Sequence, residues 1–388
     1  MNQNRQQMAT SGSTGIALVL QGGGALGAYQ AGVYEALSHS RYMPDWVAGV
    51  SIGAINAAII AGNPPERRVA RLQEFWHRVS SHLLASAPGD GHGRMYFNWA
   101  SATLAATFGV PGFYRPRQSY ELLGWPNAPR ANSIYDTQPL RATLEELIDF
   151  DLINQRKVRL SVGAVEVESG NSVYFDNHAE EIRPEHIIAS GALPPAFAPV
   201  EINGRHYWDG GIVSNTPLQY VLDHRADAPG LVLQVDLFNA HGPLPTDLGT
   251  TLVRHKDIMY SSRTRFNTDT IRQHANMQQA VGQLLAALPE SLRNHPAARK
   301  LQAFHQPREI SIVHLIYRPP DHHLDSKDYE FSRASVEERW AAGAHDVQLC
   351  IDHPDWLRRS ASSDAVITYD LTNPVTDHAI VGANPHEN

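Results

Sequence analysis

Two stretches decide the reading of this chain: Gly15–Ser38, GIALVLQGGGALGAYQAGVYEALS, and Asp45–Ala61, DWVAGVSIGAINAAIIA. In the first, the aliphatic run GIALVL leads into the glycine-rich Gly22–Gly27, after which Ala31, Tyr34 and Leu37 recur at helical spacing. That order spells strand, glycine turn, helix. The second stretch repeats it, because Asp45–Val50 is strand-like, Ser51 stands at a tight turn, and the small apolar residues of Ala54–Ala61 continue as a helix. Apolar runs at Val158–Val165, Ser172–Phe175, Gly230–Leu237 and Glu309–Tyr317 predict further strands, with helical stretches such as Leu140–Ile148 between some of them. Interleaved strands and helices predict an α/β fold, a sheet covered by helices on both faces.

The chain has 388 residues, two to three times the length of a domain of about 150. Apolar residues make up 42% and charged residues 19%, which excludes a disordered or low-complexity chain. With 32 Lys and Arg against 40 Asp and Glu the net charge is −8, and no basic cluster is present, so nucleic acid is excluded as a partner. The single cysteine, Cys350, rules out an intrachain disulfide and a cysteine-based zinc site, and fits a reducing, cytoplasmic compartment. The polar Met1–Thr14 lacks the pattern of a secretory signal and reads as a flexible lead. The longest mainly apolar stretch, Ala48–Gly62, is 15 residues long and contains Ser51 and Asn56; a spanning helix needs about 20. Transient contact with a membrane surface, driven by apolar rather than electrostatic attraction, is the expected limit.

Two regions interrupt the strand and helix rhythm. Pro88–Ser133 is rich in Gly, Pro and aromatics (Tyr96, Phe97, Trp99, Phe108, Phe113, Tyr114, Trp125) and reads as an insertion, either a lid over a site or a surface excursion. Thr246–Leu288 is largely helical, with Val281, Leu284, Leu285 and Leu288 in an apolar stripe. A final helix over Ser335–Cys350 precedes a tail, Ser360–Asn388, without periodicity, and no internal repeat is visible. The expected organisation is a lead over 1–14, a main domain over 15–240 with the insertion 88–133, an extension over 241–359 packed on the core, and a tail over 360–388.

Gly22, Gly24 and Gly27 satisfy G-x-G-x-x-G between a strand and a helix, the context of a dinucleotide-binding loop. An NAD(P)-binding oxidoreductase is therefore the rival from another class. That reading needs an acid at the end of the second strand, where this chain has Gly49-Val50-Ser51; the nearest acid, Asp45, lies at the strand's beginning. The other use of such a loop is to aim backbone N–H groups at a developing negative charge. Gly49-Val50-Ser51-Ile52-Gly53 matches G-x-S-x-G, a strand-to-helix turn that thrusts the serine hydroxyl outward, although a buried turn also uses Gly and Ser structurally. A serine hydroxyl needs a base. Any of the many histidines after residue 51 could serve in a triad, with His178, His186 and His206 the ones to test by substitution; Asp209, in HYWDGG before Asn215 and Pro217, is the sharper candidate, though Asp-Gly-Gly is also a common structural turn. His322-His323 with Asp325 reads as a solvated turn, and no metal site is expected.

Together GGGALG (Gly22–Gly27), GVSIG (Gly49–Gly53) and SGALPPAFAPVEINGRHYWDGGIVSNTPL (Ser190–Leu218) resemble the patatin-like phospholipases in order and spacing, over about residues 14 to 240. Asp328–Trp340, DYEFSRASVEERW, resembles an extension found on some bacterial members. The resemblance implies a three-layer α/β/α fold with a mainly parallel central sheet, a Ser-Asp dyad, and acyl-ester hydrolysis without cofactor or metal. Ser51 matches the nucleophile and Asp209 the proton acceptor, the backbone N–H groups of Gly22, Gly23 and Gly24 match the oxyanion hole, and Gly27, Gly49, Gly53, Gly210 and Gly211 support these motifs. One departure is Leu26, where many members carry Arg or Lys to engage a headgroup or support the oxyanion site. The expectation is a phospholipase- or lysophospholipase-like hydrolase of lipid or other aliphatic esters. A short-chain or hydroxyalkanoate-type esterase is the alternative, and a catalytically silent lipid-binding protein a further rival. A lipid or small ester is the expected partner, and the oligomeric state is left open.

Overall fold

The computed structural model describes residues 15–80, 87–89, 91–118, 121, 131–224, 230–261, 264–304, 310–320, 324–352 and 366–370. Strand β1 (Ile16–Leu20), helix α1 (Ala28–Ser38) and strand β2 (Trp46–Val50) form the first crossover, with Ala17 opposite Trp46 and Leu20 opposite Gly49 in a parallel pair. Helices α2 (Ile52–Ala61), α3 (Pro65–Val79) and α4 (His92–Phe108) follow, then a small antiparallel pair, β3 (Arg115–Pro116) with β4 (Tyr135–Asp136), and α5 (Gln138–Leu147). After these come β5 (Arg159–Glu166), β6 (Ser172–Asp176), α6 (Pro184–Ser190), β7 (Val200–Ile202), β8 (Arg205–Asp209), α7 (Leu218–Asp223) and β9 (Gly230–Asp236). The chain continues through α8 (Leu248–Tyr260), α9 (Thr264–Ala287), β10 (Ile310–Ile316), α10 (Arg333–Asp352) and β11 (Val366–Asp370).

The main sheet runs β11-β10-β9-β1-β2-β5-β8-β7, with β6 also paired to β5. It is parallel from β11 across to β5 and antiparallel only among β5, β6, β7 and β8. Alternation along β1 divides the core in two: Leu18 and Leu20 join the larger cluster with Tyr29, Ile55 and Trp76, whereas Ala17 and Val19 face Leu218, Val221 and Leu222 of α7. Helices thus cover both faces, as the alternating pattern predicts. Because the chain leaves β1 toward β2 on one side and returns to β9 on the other, a crevice opens beyond the carboxyl ends of β1 and β2, where α/β sheets bind ligands.

Residues after 240 are woven into this sheet rather than laid beside it. β10 pairs along the whole of β9, from Ile310 opposite Gly230 to Ile316 opposite Asp236, and β11 adds a further parallel strand. β11 falls in the stretch after Ser360 where the sequence has no periodicity. VITYD has no glycine turn or helical pattern beside it in the sequence, as β1 and β2 do, and its pairing with β10 defines it. On one face α10 crosses α1 at backbone contact. A Cβ on Gly32 would lie 1.9 Å from the Trp340 carbonyl oxygen, and one on Gly343 would lie 2.0 Å from that of Tyr29. The Tyr29 hydroxyl donates to Asp346 at 2.6 Å and the Trp340 indole to Glu35 at 2.6 Å, closing the crossing at both ends. Among the described residues no helix is long and apolar enough to cross a membrane.

A side chain at this crossing has no room. Gly343→Val forces the two helices apart and is expected to lower the unfolding free energy by about 1–3 kcal/mol, the usual cost of overpacking. An unchanged urea midpoint would show that the crossing is looser than the contact distances require.

Candidate active site

β2 ends at Val50 and α2 begins at Ile52, which leaves a single residue, Ser51, to turn the chain. It does so at φ 56° and ψ −124°, a conformation that costs a residue with a Cβ on the order of 1–3 kcal/mol. Two contacts require glycine beside it: a Cβ on Gly49 would lie 2.2 Å from the Gly53 carbonyl oxygen, and one on Gly53 would lie 2.3 Å from that of Leu20. Gly27 serves the same packing from the neighbouring loop, where a Cβ would meet Ile52 at 2.5 Å. The Ser51 N–H donates to the Ser190 hydroxyl at 2.9 Å, which in turn donates to the Gly163 carbonyl at 2.6 Å. The end of α6 therefore locks the elbow to β5.

Sheet register brings the second residue to the first. β6 occupies one edge of β5, so β2 and β8 must share the other, β2 reaching Gly163 with Val50 and β8 beginning at Ala164 with Asp209. Ser51, the residue after Val50, thus meets Asp209 across the point where one strand replaces the other. The carboxylate is buried, 3% exposed, and accepts the Gly211 N–H at 2.7 Å and a hydrogen bond from the Ser51 side chain. Burial pushes the Asp209 carboxyl up from 3.8 to about 6, while the bonds from Ser51 and Gly211 pull it partly back. Gly210 and Gly211 allow the close packing here, since a Cβ on Gly210 would lie 2.7 Å from the Gly163 carbonyl oxygen and one on Gly211 2.8 Å from Asn215 Oδ1.

The glycine loop closes the third side, with one correction to the sequence reading. The Gly22 N–H donates to the Asn215 carbonyl at 3.1 Å, and Asn215 Nδ2 donates back to the Gly22 carbonyl at 3.1 Å. Gly22 is thereby committed to Asn215 and has no free N–H for an oxyanion. The N–H groups of Gly23 and Gly24, at the start of a short 3₁₀ turn over Gly24–Gly27, have no acceptor among the described residues, and both glycines line the cavity. Gly24 has φ 53°, and a Cβ there would lie 2.1 Å from the Asp328 carbonyl oxygen, which accepts the Ala25 N–H at 2.7 Å. Behind the loop lies a buried polar network that the sequence reading missed. Gln21 Oε1 accepts the N–H groups of Leu237 and Phe238 at 2.6 and 3.0 Å, Gln30 donates to the Gln21 carbonyl at 2.7 Å, and Asn56 donates to the Gly27 carbonyl at 2.9 Å. The signal available was a polar residue inside an apolar run, as Asn56 is in AINAAII.

These groups stand at the floor of a cavity of about 340 Å³. Its walls are apolar and aromatic: Tyr114 lies 4.7 Å from Tyr135 and 5.4 Å from Phe197 between ring centres, and Phe113 lies 5.9 Å from Phe331. The insertion contributes Phe113 and Tyr114, and the segments after 240 contribute Tyr260, Tyr329 and Phe331. Tyr96, Trp99 and Phe108 of α4 are instead exposed, while Trp125, His322 and His323 lie outside the described residues. The described lining carries two carboxylates, Asp209 and Asp328, and no Lys, Arg or His.

None of the three candidate histidines lines the cavity. His186 is packed edge-on against Phe175, and His206 pairs with Glu168 at 2.6 Å. Asp45 lies at the far end of β1 from the glycine loop, its N–H donating to the Ile16 carbonyl at 3.0 Å, so the oxidoreductase reading lacks its ribose-binding acid. Leu26 is fully buried in the larger core cluster, away from the cavity. Among the described residues no group of three or more His, Cys, Asp or Glu gathers as metal ligands do.

A strained serine after the second strand, a buried Asp-Gly-Gly beside it and a glycine loop at the end of the first strand define an α/β protein of the serine-elbow type. The sequence pattern of the patatin-like phospholipases matches residues 18–222, more than half of the chain, and a second pattern described as patatin phospholipase matches residues 258–363. The chain belongs to the patatin-like phospholipase family. It is similar to an NTE family protein of Mycobacterium tuberculosis, 26% identical over 217 residues, 56% of this chain and 48% of that one. A patatin-like phospholipase domain-containing protein of Caenorhabditis elegans is 41% identical over 70 residues, 18% of this chain and 6% of that one. The chain thus spans about half the length of the mycobacterial relative and a small part of the nematode one. Among solved structures it is similar to VipD from Legionella pneumophila (TM-score 0.37, 13% identity, 88% of this chain and 67% of that one). It is also similar to human GIVD cytosolic phospholipase A2 (TM-score 0.43, 13% identity, 89% and 60%).

Two outcomes follow from the geometry. A carboxyl raised to about 6 disfavours the ionised folded state, so its contribution to stability is present below pH 3.8 and is lost as pH rises through about 6. Asp209→Asn is therefore expected to melt higher than the wild type above pH 6, by an amount on the order of 3 kcal/mol for a shift of roughly two units, and the gap should close below pH 4. A melting difference independent of pH would contradict the buried ionised state. Leu26→Arg buries an unpaired charge and should lower melting temperature and any activity together, whatever the substrate's charge. A stable variant with a changed headgroup preference would place residue 26 at the cavity after all.

Proposed function

We propose that the protein is a serine acyl-ester hydrolase acting on lipid or other aliphatic esters. The observation that supports this is the hydrogen-bonded pair of Ser51 and Asp209 in an apolar cavity that is also lined by Gly23 and Gly24, whose N–H groups have no acceptor among the described residues. In this reading Asp209, ionised above about pH 6, accepts the Ser51 proton as Oγ attacks the ester carbonyl. The N–H groups of Gly23 and Gly24 receive the oxyanion. Asp209 then returns the proton to the leaving alkoxide, and the acyl-serine is cleaved by water activated by the same carboxylate. The pair needs no third residue because Gly211 orients Asp209, and the raised carboxyl range makes it a stronger base than an exposed aspartate.

Substrate choice follows from the lining. No Lys, Arg or His is among the described lining residues, and Asp328 is already paired with Lys256 at 2.8 Å, so an uncharged alcohol portion, as in neutral lipid or aliphatic esters, suits this lining better than an anionic headgroup. The cavity of about 340 Å³ opens to solvent on one side, and its apolar, aromatic walls suit an aliphatic acyl chain. Exposed Tyr96, Trp99 and Phe108 on α4 offer aromatic contact with a lipid surface.

A fluorophosphonate probe should label wild type at Ser51 and leave folded Ser51→Ala unlabelled, and that variant should lose essentially all ester hydrolysis. Substantial turnover by folded Ser51→Ala would sink the assignment. In Asp209→Asn, kcat should drop at least about 10²-fold, whereas single substitutions of His178, His186 and His206 should keep most activity. Wild-type kcat/KM should fall about tenfold per unit below pH 6. Across p-nitrophenyl esters it should rise as the acyl chain lengthens from two carbons and buries more apolar surface in the cavity. No gain from acetate to longer chains would count against the apolar cavity as the acyl site.

A further inference from the structure

The glycine loop carries no charge of its own, yet a buried cation is bonded to it from the far end of the chain. Arg339, on α10, is 1% exposed. Its Nη1 donates to the Ala25 carbonyl at 3.1 Å and to the Glu330 carbonyl at 2.9 Å; its Nη2 donates to the Lys327 carbonyl at 3.0 Å and to Glu330 Oε2 at 3.4 Å. One guanidinium thus holds together the loop and the Lys327–Glu330 segment, whose Asp328 carbonyl accepts the Ala25 N–H at 2.7 Å.

The contact to Ala25 does more than fasten the loop. The Ala25 carbonyl and the Leu26 N–H belong to one peptide group, and that N–H donates to the Gly23 carbonyl at 3.1 Å. The Gly23 carbonyl and the Gly24 N–H belong to the next. A continuous chain therefore runs from the guanidinium through two peptide groups to the N–H of Gly24, a residue that lines the cavity and whose N–H has no acceptor among the described residues. Hydrogen bonds in series polarise one another, and a cation at the head of the series draws electron density away from the last N–H. Glu330, 3.4 Å from Nη2, offsets part of the charge, and in this buried setting little solvent screens the remainder.

We propose that Arg339 is a positioning residue for the oxyanion site, polarising and fixing the Gly24 N–H through the Ala25–Leu26 and Gly23–Gly24 peptides. The segment after residue 240 thereby supplies the positive charge that the loop lacks at Leu26. The proposal rests on the hydrolase reading for its kinetic consequence, but the coupling itself has a readout independent of turnover. Purely structural clamping predicts instead that activity tracks stability.

The test uses the full chain as wild type, Arg339→Met, Arg339→Lys and Glu330→Gln. Each is measured for kcat, KM and melting temperature, and for the Gly24 amide proton shift after labelling glycine with ¹⁵N and carbonyl ¹³C. The sequence has three Gly-Gly bonds, Gly22-Gly23, Gly23-Gly24 and Gly210-Gly211, so the filtered spectrum is small. Arg339→Met should lower kcat about tenfold, less than the loss of a whole oxyanion donor, with KM within about twofold. It should also move the Gly24 amide proton upfield. Arg339→Lys should recover part of both, and Glu330→Gln, which removes the counter-charge and leaves the Ala25 contact in place, should lower melting temperature while keeping kcat within about twofold, with any movement of the Gly24 amide proton downfield rather than upfield. The proposal is overturned if folded Arg339→Met keeps kcat within twofold with Gly24 unmoved, or if Glu330→Gln loses as much kcat as Arg339→Met in step with melting temperature. Should Arg339→Met not fold, Arg339→Lys decides by the same two readouts. If wild type hydrolyses no ester, the hydrolase reading fails, while a Gly24 shift that responds to Arg339 upholds the coupling and an unmoved one removes it.

Discussion

Everything at this site depends on one edge of β5 being shared by two strands. β2 runs along it as far as Gly163, and β8, arriving antiparallel, takes over at Ala164. At that junction the chain after Val50 must turn away while Asp209 arrives, and the two side chains meet with little freedom to separate. Gly163, Gly49, Gly53 and Gly210 all sit within this crossing, where a Cβ would collide with backbone or with Val50. The strain in Ser51 is sustained because strands on either side over-determine its position.

The second constraint is burial. A carboxylate 3% exposed, with a hydroxyl and one N–H as its donors among the described residues, is held well short of full compensation, and its raised range follows. The fold tolerates this because the surrounding polar groups are well satisfied: Gln21, Gln30, Asn56 and Asn215 each bond to backbone at the glycine loop or the ends of neighbouring strands. Rigid polar support on one side and aromatic walls on the other leave an apolar pocket between. That combination strengthens every electrostatic interaction at Ser51.

Residues after 240 take part in both constraints. β10 and β11 cover the edge of β9, α10 locks against α1 through Gly32 and Gly343, and Lys327–Phe331 lies against the glycine loop and the cavity. Lys256 pairs with Asp328 at 2.8 Å, and Lys327 pairs with Asp257, so α8 and this segment are held to each other by reciprocal ion pairs. Such partly buried pairs fix geometry more than they add stability.

How much of this was legible in the sequence depends on the range of the interaction. Strand-turn-helix order, the serine elbow and the Asp-Gly-Gly turn are local: backbone freedom at glycine and the period of apolar residues write them into a few neighbouring positions, and the resemblance carried by three short blocks joined them. The sequence alone therefore determined the α/β class and singled out Ser51 and Asp209. Tertiary structure decided what depends on partners far apart in the chain. Gly22 lost its place among the donors because Asn215, 193 residues on, accepts its N–H and donates to its carbonyl. A strand at Val366–Asp370 appeared because β10 offered it an edge. Leu26 turned inward, and a cation reached the loop from Arg339, 314 residues beyond Ala25. No local pattern encodes such pairings, since a hydrogen bond between distant residues is specified by the packing of the elements that carry them.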